Sequence, residues 1–552
     1  MPRSTLASLE HEKDAFGAGS AARKLALLAR VARKRMRTPD DLARLHEVLC
    51  FMRAYADDAR VLARVERLLL QFARRPELRR HRDVLTDSGI AGTAIRYRFY
   101  WATAYWLALR WPAKLQIERS ESGIAEALAD ALPLLVSRAE SVSLGESELP
   151  AFAALDRLRA RGESDALCLT RLIDAMPGDT YTREAFHDRI EPTYELGPGQ
   201  GTPSRTLAKH APAPSAFQAT PLARGRPDLR REIGRPYRSQ RKLPPREGMR
   251  LIELARGAMV TRARDLDAFS YGNAEDVLMI DDGGGLGFAF IGVVPERRAL
   301  IIATWGYLIL RNGVPIGYGD VLATGRSAAV AFNIFETFRG AEAGRNFARL
   351  LAALRNALGI ESFRLHPYQL GRDNDEAIAS GAWWFYFKLG FRPHRADALG
   401  LARRETARMA ADPAFRSSAA TLRRLAAAHL FFDFDRNHRH GLAPVARVSF
   451  AVSGALAART RGSRSDALHA SVREAQRITG LRSLKDFSAD EREAWRRWSP
   501  LVTYAIKGAS RWSPADKRAL IDTIRAKGGA SELDYIRRFA AHPRLALALF
   551  KK

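Results

Sequence analysis

Cysteine is nearly absent: Cys50 and Cys168 are the only two in 552 residues. Two thiols cannot build a disulfide framework, which points to a reducing compartment. No Cys/His cluster has zinc-ligand spacing, so no metal site is assigned. Long apolar runs are missing too. The longest uncharged, aromatic-rich stretch, Phe99 to Leu109, is too short to span a bilayer, and no transmembrane segment is expected. The start at Met1, MPRSTLASLEHEKDAF, carries charges where a secretory leader needs an apolar centre. These absences predict a cytoplasmic protein. Lysine is also scarce, 13 of the 89 basic residues.

What is present is a large stock of core-forming residues. With 47% hydrophobic and 27% charged residues, global disorder is excluded, and at ~150 residues per domain the chain has room for ~3 to 4 domains. The formal charge of +28 raises the question of nucleic acid, since basic surfaces neutralise phosphates. Its distribution argues otherwise. Residues 201–250 carry 12 basic and 3 acidic side chains, whereas 251–400 balance at 16 and 16. An arginine excess over lysine arises from GC-rich codon usage without selection for phosphate. Nucleic acid is a permitted partner, not a favoured one.

Residues 1–190 show apolar positions at three and four, as in Val61, Leu62, Val65, Leu68 and Leu69, and read as a helical N-terminal region. Thr38-Pro39-Asp40-Asp41 has helix-start chemistry: a capping hydroxyl, a proline for the first turn, and carboxylates for its positive end. Residues 191–250 lose the periodicity to Pro, Gly, Ser and Arg, a linker or a wrapping segment. Residues 251–398 turn to short β-rich runs, including LGFAFIGVV, ALIIATWGYLIL and PIGYGDVLA. Asn312-Gly313 predicts a two-residue hairpin turn. Gly283-Gly284-Gly285-Leu286-Gly287 lacks the helix and lysine of a phosphate loop and reads as a turn. A strand at Ala328–Phe335, a helix at 341–358, a strand at Ser362–Leu365 and a helix at 374–389 follow. Residues 399–552 return to helix, with caps at Ser513 and Ser531. The run from Asp433 to His440 opens like a calcium loop, but His438 and Pro444 replace the turn glycine and the bidentate glutamate, which excludes it.

Two stretches in this order carry chemistry. Asn333 to Leu354 reads NIFETFRGAEAGRNFARLLAAL, and Asn374 to Phe391 reads NDEAIASGAWWFYFKLGF. Together they resemble two motif regions of the GNAT acetyltransferase superfamily, covering about residues 298–393. The resemblance implies an α/β fold, a GNAT-like mixed sheet with helices on both faces, here flanked by helical regions. It also implies acetyl-CoA or another acyl-CoA as co-substrate and an amine as acceptor. By the same resemblance Arg339, Gly340, Ala341, Gly344 and Arg345 form the pyrophosphate loop. Glu342 stands where the family has its first glycine. In the second stretch Ala382, Tyr386, Gly390 and Phe391 match at family spacing, making Tyr386 the candidate general acid. Asn374 and Ala377 resemble the motif's opening, a cofactor contact, with five extra residues before the tyrosine.

The residues support this independently. A strand turning sharply into a helix presents unpaired amides at the positive end of the helix dipole, which suits a diphosphate. Acyl transfer to an amine also needs a base. Strand alternation places Phe332, Ile334, Glu336 and Phe338 on one face, which would turn Glu336 into a pocket as that base. Asp320, His366 and Tyr368 are further candidates for the same crevice. The expected function is an acyl-CoA-dependent N-acyltransferase. The alternatives are a catalytically silent scaffold, with Glu342 excluding the cofactor, and a transferase using aminoacyl-tRNA.

Overall fold

The protein is described by a computed structural model for residues 4–211, 215–435, 445–459 and 463–550. The histidine-bearing run compared above with a calcium loop lies outside these residues from 436 onward. Thr38 caps the helix Pro39–Ala54, its hydroxyl accepting from the Asp41 N–H at 3.1 Å. Among the described residues no helix is long and apolar enough to cross a membrane.

The N-terminal region is helical but also holds strands. β1 (Ile95–Tyr97), β2 (Leu115–Ile117) and β3 (Tyr194–Leu196) form a small antiparallel sheet in the order β1-β3-β2. The main sheet starts in the Pro/Gly/Arg-rich segment with β4 (Ser239–Lys242). It continues through β5 (Gly272–Gly283), β6 (Leu286–Val293), β7 (Ala303–Arg311), β8 (Val314–Thr324), β9 (Ser327–Val330) and β10 (Asn333–Ile334). It is completed by β11 (Ser362–Leu365), β12 (Arg392–Pro393) and β13 (Leu430–Asp433). The order is β12-β13-β11-β9-β8-β7-β6-β5-β4, with β10 also on β8. Every pair is antiparallel except β9 with β11. Those two are joined through the helix Ala343–Leu358, the crossover that parallel strands require.

Arg311 pairs with Val314, and Asn312 and Gly313 adopt φ of 50° and 76°, so the expected two-residue hairpin turn forms. The glycine cluster is likewise a hairpin turn between β5 and β6. The strand expected at 328–335 is one ladder on β8 whose register is unbroken from Ser327 to Ile334. The predicted 374–389 helix is two helices, Asp375–Ala379 and Ala382–Leu389, separated where Gly381 takes a φ of 67°.

One core runs through all parts of the chain. It includes Phe51 and Tyr55 from the N-terminal helices, Leu222 and Ile233 from the wrapping segment, the sheet, and Trp495, Trp498 and Tyr535 from the C-terminal helices. Two further cores are formed by 95–196 together with Val260 and Tyr271, and by 6–90. The wrapping segment is fixed by backbone bonds: Gln218 donates to the Ala56 carbonyl at 2.7 Å, and Arg238 to that of Asp281 at 2.9 Å.

Candidate functional site

β9 and β11 are paired only as far as Ala329 and Arg364, while the ladder on β8 continues to Ile334. Each of the two parallel strands ends one residue later, at Val330 and Leu365. An aromatic cluster lies just beyond β9: Phe332 lies 4.9 Å from Phe347, which in turn meets Tyr386 at 5.3 Å and Phe391 at 5.8 Å. Tyr386 is buried, and burial holds its phenol well above the usual tyrosine range. Its charge, if formed, would act on Tyr307, whose hydroxyl donates to the Ala331 carbonyl.

Beyond Ile334 the alternation expected from the sequence stops. Phe335 is followed by a short 3₁₀ turn, Glu336–Phe338, so the buried residues fall at spacing three, Phe332, Phe335 and Phe338. Glu336 is consequently exposed, not turned into the sheet. It stands at the mouth of a crevice of about 280 Å³ that also receives Arg205, Arg262, Arg264, Arg339 and Glu376. The segment after the helix Pro245–Val260 builds one wall. The helix ends at Thr261, and Ala263 takes a φ of 49°, turning the chain so that Arg262 and Arg264 both reach the crevice. Cations are favoured at this negative end of the helix. The Arg262 guanidinium lies 3.5 Å over the Phe335 ring and donates to the Ala258 carbonyl at 2.9 Å. Arg264 donates to the Tyr318 hydroxyl at 3.0 Å. Arg264 and Arg339 share Glu376, and Arg205 pairs with Glu47.

Burial, then repulsion from Arg205, holds Arg262 well below the ordinary arginine range. Burial pushes Arg205 down to about 10, with Glu336 opposing. Behind the crevice a void of about 10 Å³ shares Arg205 and Arg262 and reaches Cys50 and Arg53. Burial alone would raise the Cys50 thiol, but His46, Arg53 and Arg262 outweigh it and lower the thiol instead.

The residues assigned to the pyrophosphate loop occupy a different setting. Gly340 takes a φ of 79° and Ala341 is buried. Glu342 is 1% exposed and fills the start of the helix Ala343–Leu358. Its carboxylate lies 3.5 Å from Arg311 and 3.1 Å from Arg345, and accepts from the Ala223 N–H at 3.4 Å. Pro227 sits where a Cβ on Gly344 would meet it at 3.2 Å. The wrapping segment thus covers this helix end. Asn374 caps the helix Asp375–Ala379, accepting from the Ala377 N–H at 3.0 Å and donating to the Tyr368 carbonyl at 3.1 Å. His366 caps the helix Pro367–Leu370 in the same way, and burial, with Arg364 and Arg372, lowers its pKa. Tyr368 is exposed. Burial raises the Asp320 carboxyl. Glu336 and Arg339 come together in the crevice, whereas Tyr386, Asp320 and Asn374 are not among its walls.

Arg205, Arg262 and Arg264 escape sequence reasoning, since an Arg-Ala-Arg at a helix end is unremarkable in so arginine-rich a chain. Two other features are structural or separate. Glu184, His187 and Asp188 have donor atoms within 4.8 Å of one another. Glu184, however, already accepts from the Trp101 and Ala102 N–H groups and the Tyr271 hydroxyl. A broader groove of about 1160 Å³ runs beside β12 and β13, includes Gly390, and shares no wall residue with the crevice. Comparison of the chain with family models, curated proteins and solved structures finds no match.

Proposed function

We propose that the protein is an acyl-CoA-dependent N-acyltransferase on a GNAT-like sheet, transferring an acyl group to an amine. The observation that carries this reading is the crevice of about 280 Å³ at the end of β10, where Glu336 and Arg339 come together between the sheet and the crossover helix. Glu336, open to the crevice, is the base that takes a proton from the attacking amine. Tyr386, the acid that the resemblance implies for the departing thiolate, is buried outside the crevice walls. With Glu342 filling the helix start, the cofactor's phosphates fall to Arg339 and Arg264, where charge and fork geometry replace backbone amides.

The burial of Glu342 between Arg311 and Arg345 favours a second reading, a silent scaffold whose helix start is closed by its own carboxylate. Calorimetric titration with acetyl-CoA and with free CoA separates the two. The transferase binds both, more weakly as Arg339→Ala, and releases thiol when amines are supplied. The scaffold binds neither until Glu342→Gly opens the site. A salt-sensitive gel shift with RNA, absent CoA binding, would favour the aminoacyl-tRNA alternative.

A further inference from the structure

The crevice has charges that its own neighbours leave uncompensated. Of its four guanidinium groups, Arg264 and Arg339 share Glu376, and Arg205 pairs with Glu47. Arg262 forms no ion pair among the described residues. Its polar contacts are the Ala258 carbonyl and, at 3.4 Å, the Thr261 hydroxyl, on one terminal nitrogen. The Arg205 Nε is buried without a hydrogen-bond partner. Partly buried cations of this kind are costly unless something anionic meets them. On the opposite side, Glu336 is exposed and forms no ion pair among the described residues, although its charge acts on Arg205. The Asp87 carboxylate, also in the wall, accepts from the Arg96 N–H at 2.6 Å.

We propose that the crevice binds a small zwitterion, an amine bearing its own oxyanion, with the oxyanion on Arg262 and Arg205 and the ammonium on Glu336. The geometry favours this over a bare anion because an unpaired cation and an unpaired carboxylate face one space of about 280 Å³. Phe335 supports the Arg262 guanidinium from one side at 3.5 Å, and the guanidinium's fork suits two-point contact with a carboxylate or phosphate. As a binding site the proposal stands alone. As the acceptor class it rests on the transferase reading, since the bound amine, once deprotonated, would lie beside the base.

The test is calorimetry on the full chain without acyl-CoA. Phosphoethanolamine and β-alanine are the zwitterionic probes, one for each oxyanion, with inorganic phosphate and ethanolamine as controls. At least one zwitterion is expected to bind tenfold or more tightly than either control. Glu336→Gln, at an exposed position, should weaken that zwitterion about tenfold and leave phosphate unchanged. Arg262→Lys should weaken both, and circular dichroism checks that the variant is folded. No zwitterion binding, or binding indifferent to either substitution, overturns the proposal. Acetyl-CoA binding without zwitterion binding sinks this inference alone. The reverse result sinks the transferase reading alone.

Discussion

Arg349 has no exposed surface, yet its guanidinium donates to Asp282 at 2.9 and 2.5 Å and to the carbonyls of Glu232, Arg235 and Pro236 at 2.5, 3.1 and 3.0 Å. One side chain thus ties the crossover helix to the end of β5 and to the wrapping segment. Removing it leaves Asp282 without its charge partner. Arg349→Met is expected to cost about 3–5 kcal/mol, and adding Asp282→Asn should recover part of that, as read by urea unfolding. None of this was legible in the sequence, where Arg349 is one more arginine on an amphipathic helix. The same blindness hid Arg205 and Arg262, because burial is decided by residues far along the chain. That Glu336 and Arg339 share the loop between a strand and a helix was legible, whereas the outward turn of Glu336 is set by the 3₁₀ turn Glu336–Phe338 and not by strand alternation.

Elements whose geometry depends on neighbouring residues were read well. The Asn312-Gly313 turn needs two positive φ angles and has the residues for them. The structure gives it a second duty: Asn312 donates to the Ala54 and Ala216 carbonyls and accepts from the Ala216 N–H, pinning helix and wrapping segment to the hairpin. A Cβ at Gly313 would lie 2.2 Å from the His210 carbonyl. Gly313→Ala is therefore expected to lower the thermal midpoint, at a cost above ~1 kcal/mol. The alternation expected to carry Phe332, Ile334, Glu336 and Phe338 on one face ends with the strand at Ile334, because the 3₁₀ turn Glu336–Phe338 buries Phe335 and turns Glu336 outward.

The segment just after the helix Pro245–Val260 also sets a pH dependence. Asp265 accepts from the Thr103 hydroxyl at 2.6 Å and the Tyr100 N–H at 3.0 Å, and burial, against these bonds, pushes it up to about 7. A carboxyl raised in the folded state binds more protons there than in the unfolded chain. Its contribution therefore falls as pH rises from about 4 through 7. Asp265→Asn should flatten that part of the curve, measured as thermal midpoints from pH 5 to 8.

For the whole molecule, the order strand, turn, helix, strand, helix was visible in the middle segment, but the sheet's outer strands were not. β4 and β13 are short and lie in stretches dominated by other patterns. The C-terminal region is also bound to the sheet by buried charge. Glu532 pairs with Lys527 and accepts from the Thr304 N–H at 2.9 Å, while Arg298 donates to the Lys527 and Gly529 carbonyls at 2.9 and 2.6 Å. These contacts predict one cooperative body. Limited proteolysis is expected to leave no folded fragment comprising residues 251–398 alone, and such a fragment expressed by itself should aggregate.

The position of β13 between β11 and β12 has a consequence for synthesis on the ribosome. The two earlier strands emerge first, yet neither can pair with the other across the vacant slot. The sheet's far edge stays open until residue 433 has cleared the exit tunnel, so closure there is a late event in the life of each nascent chain.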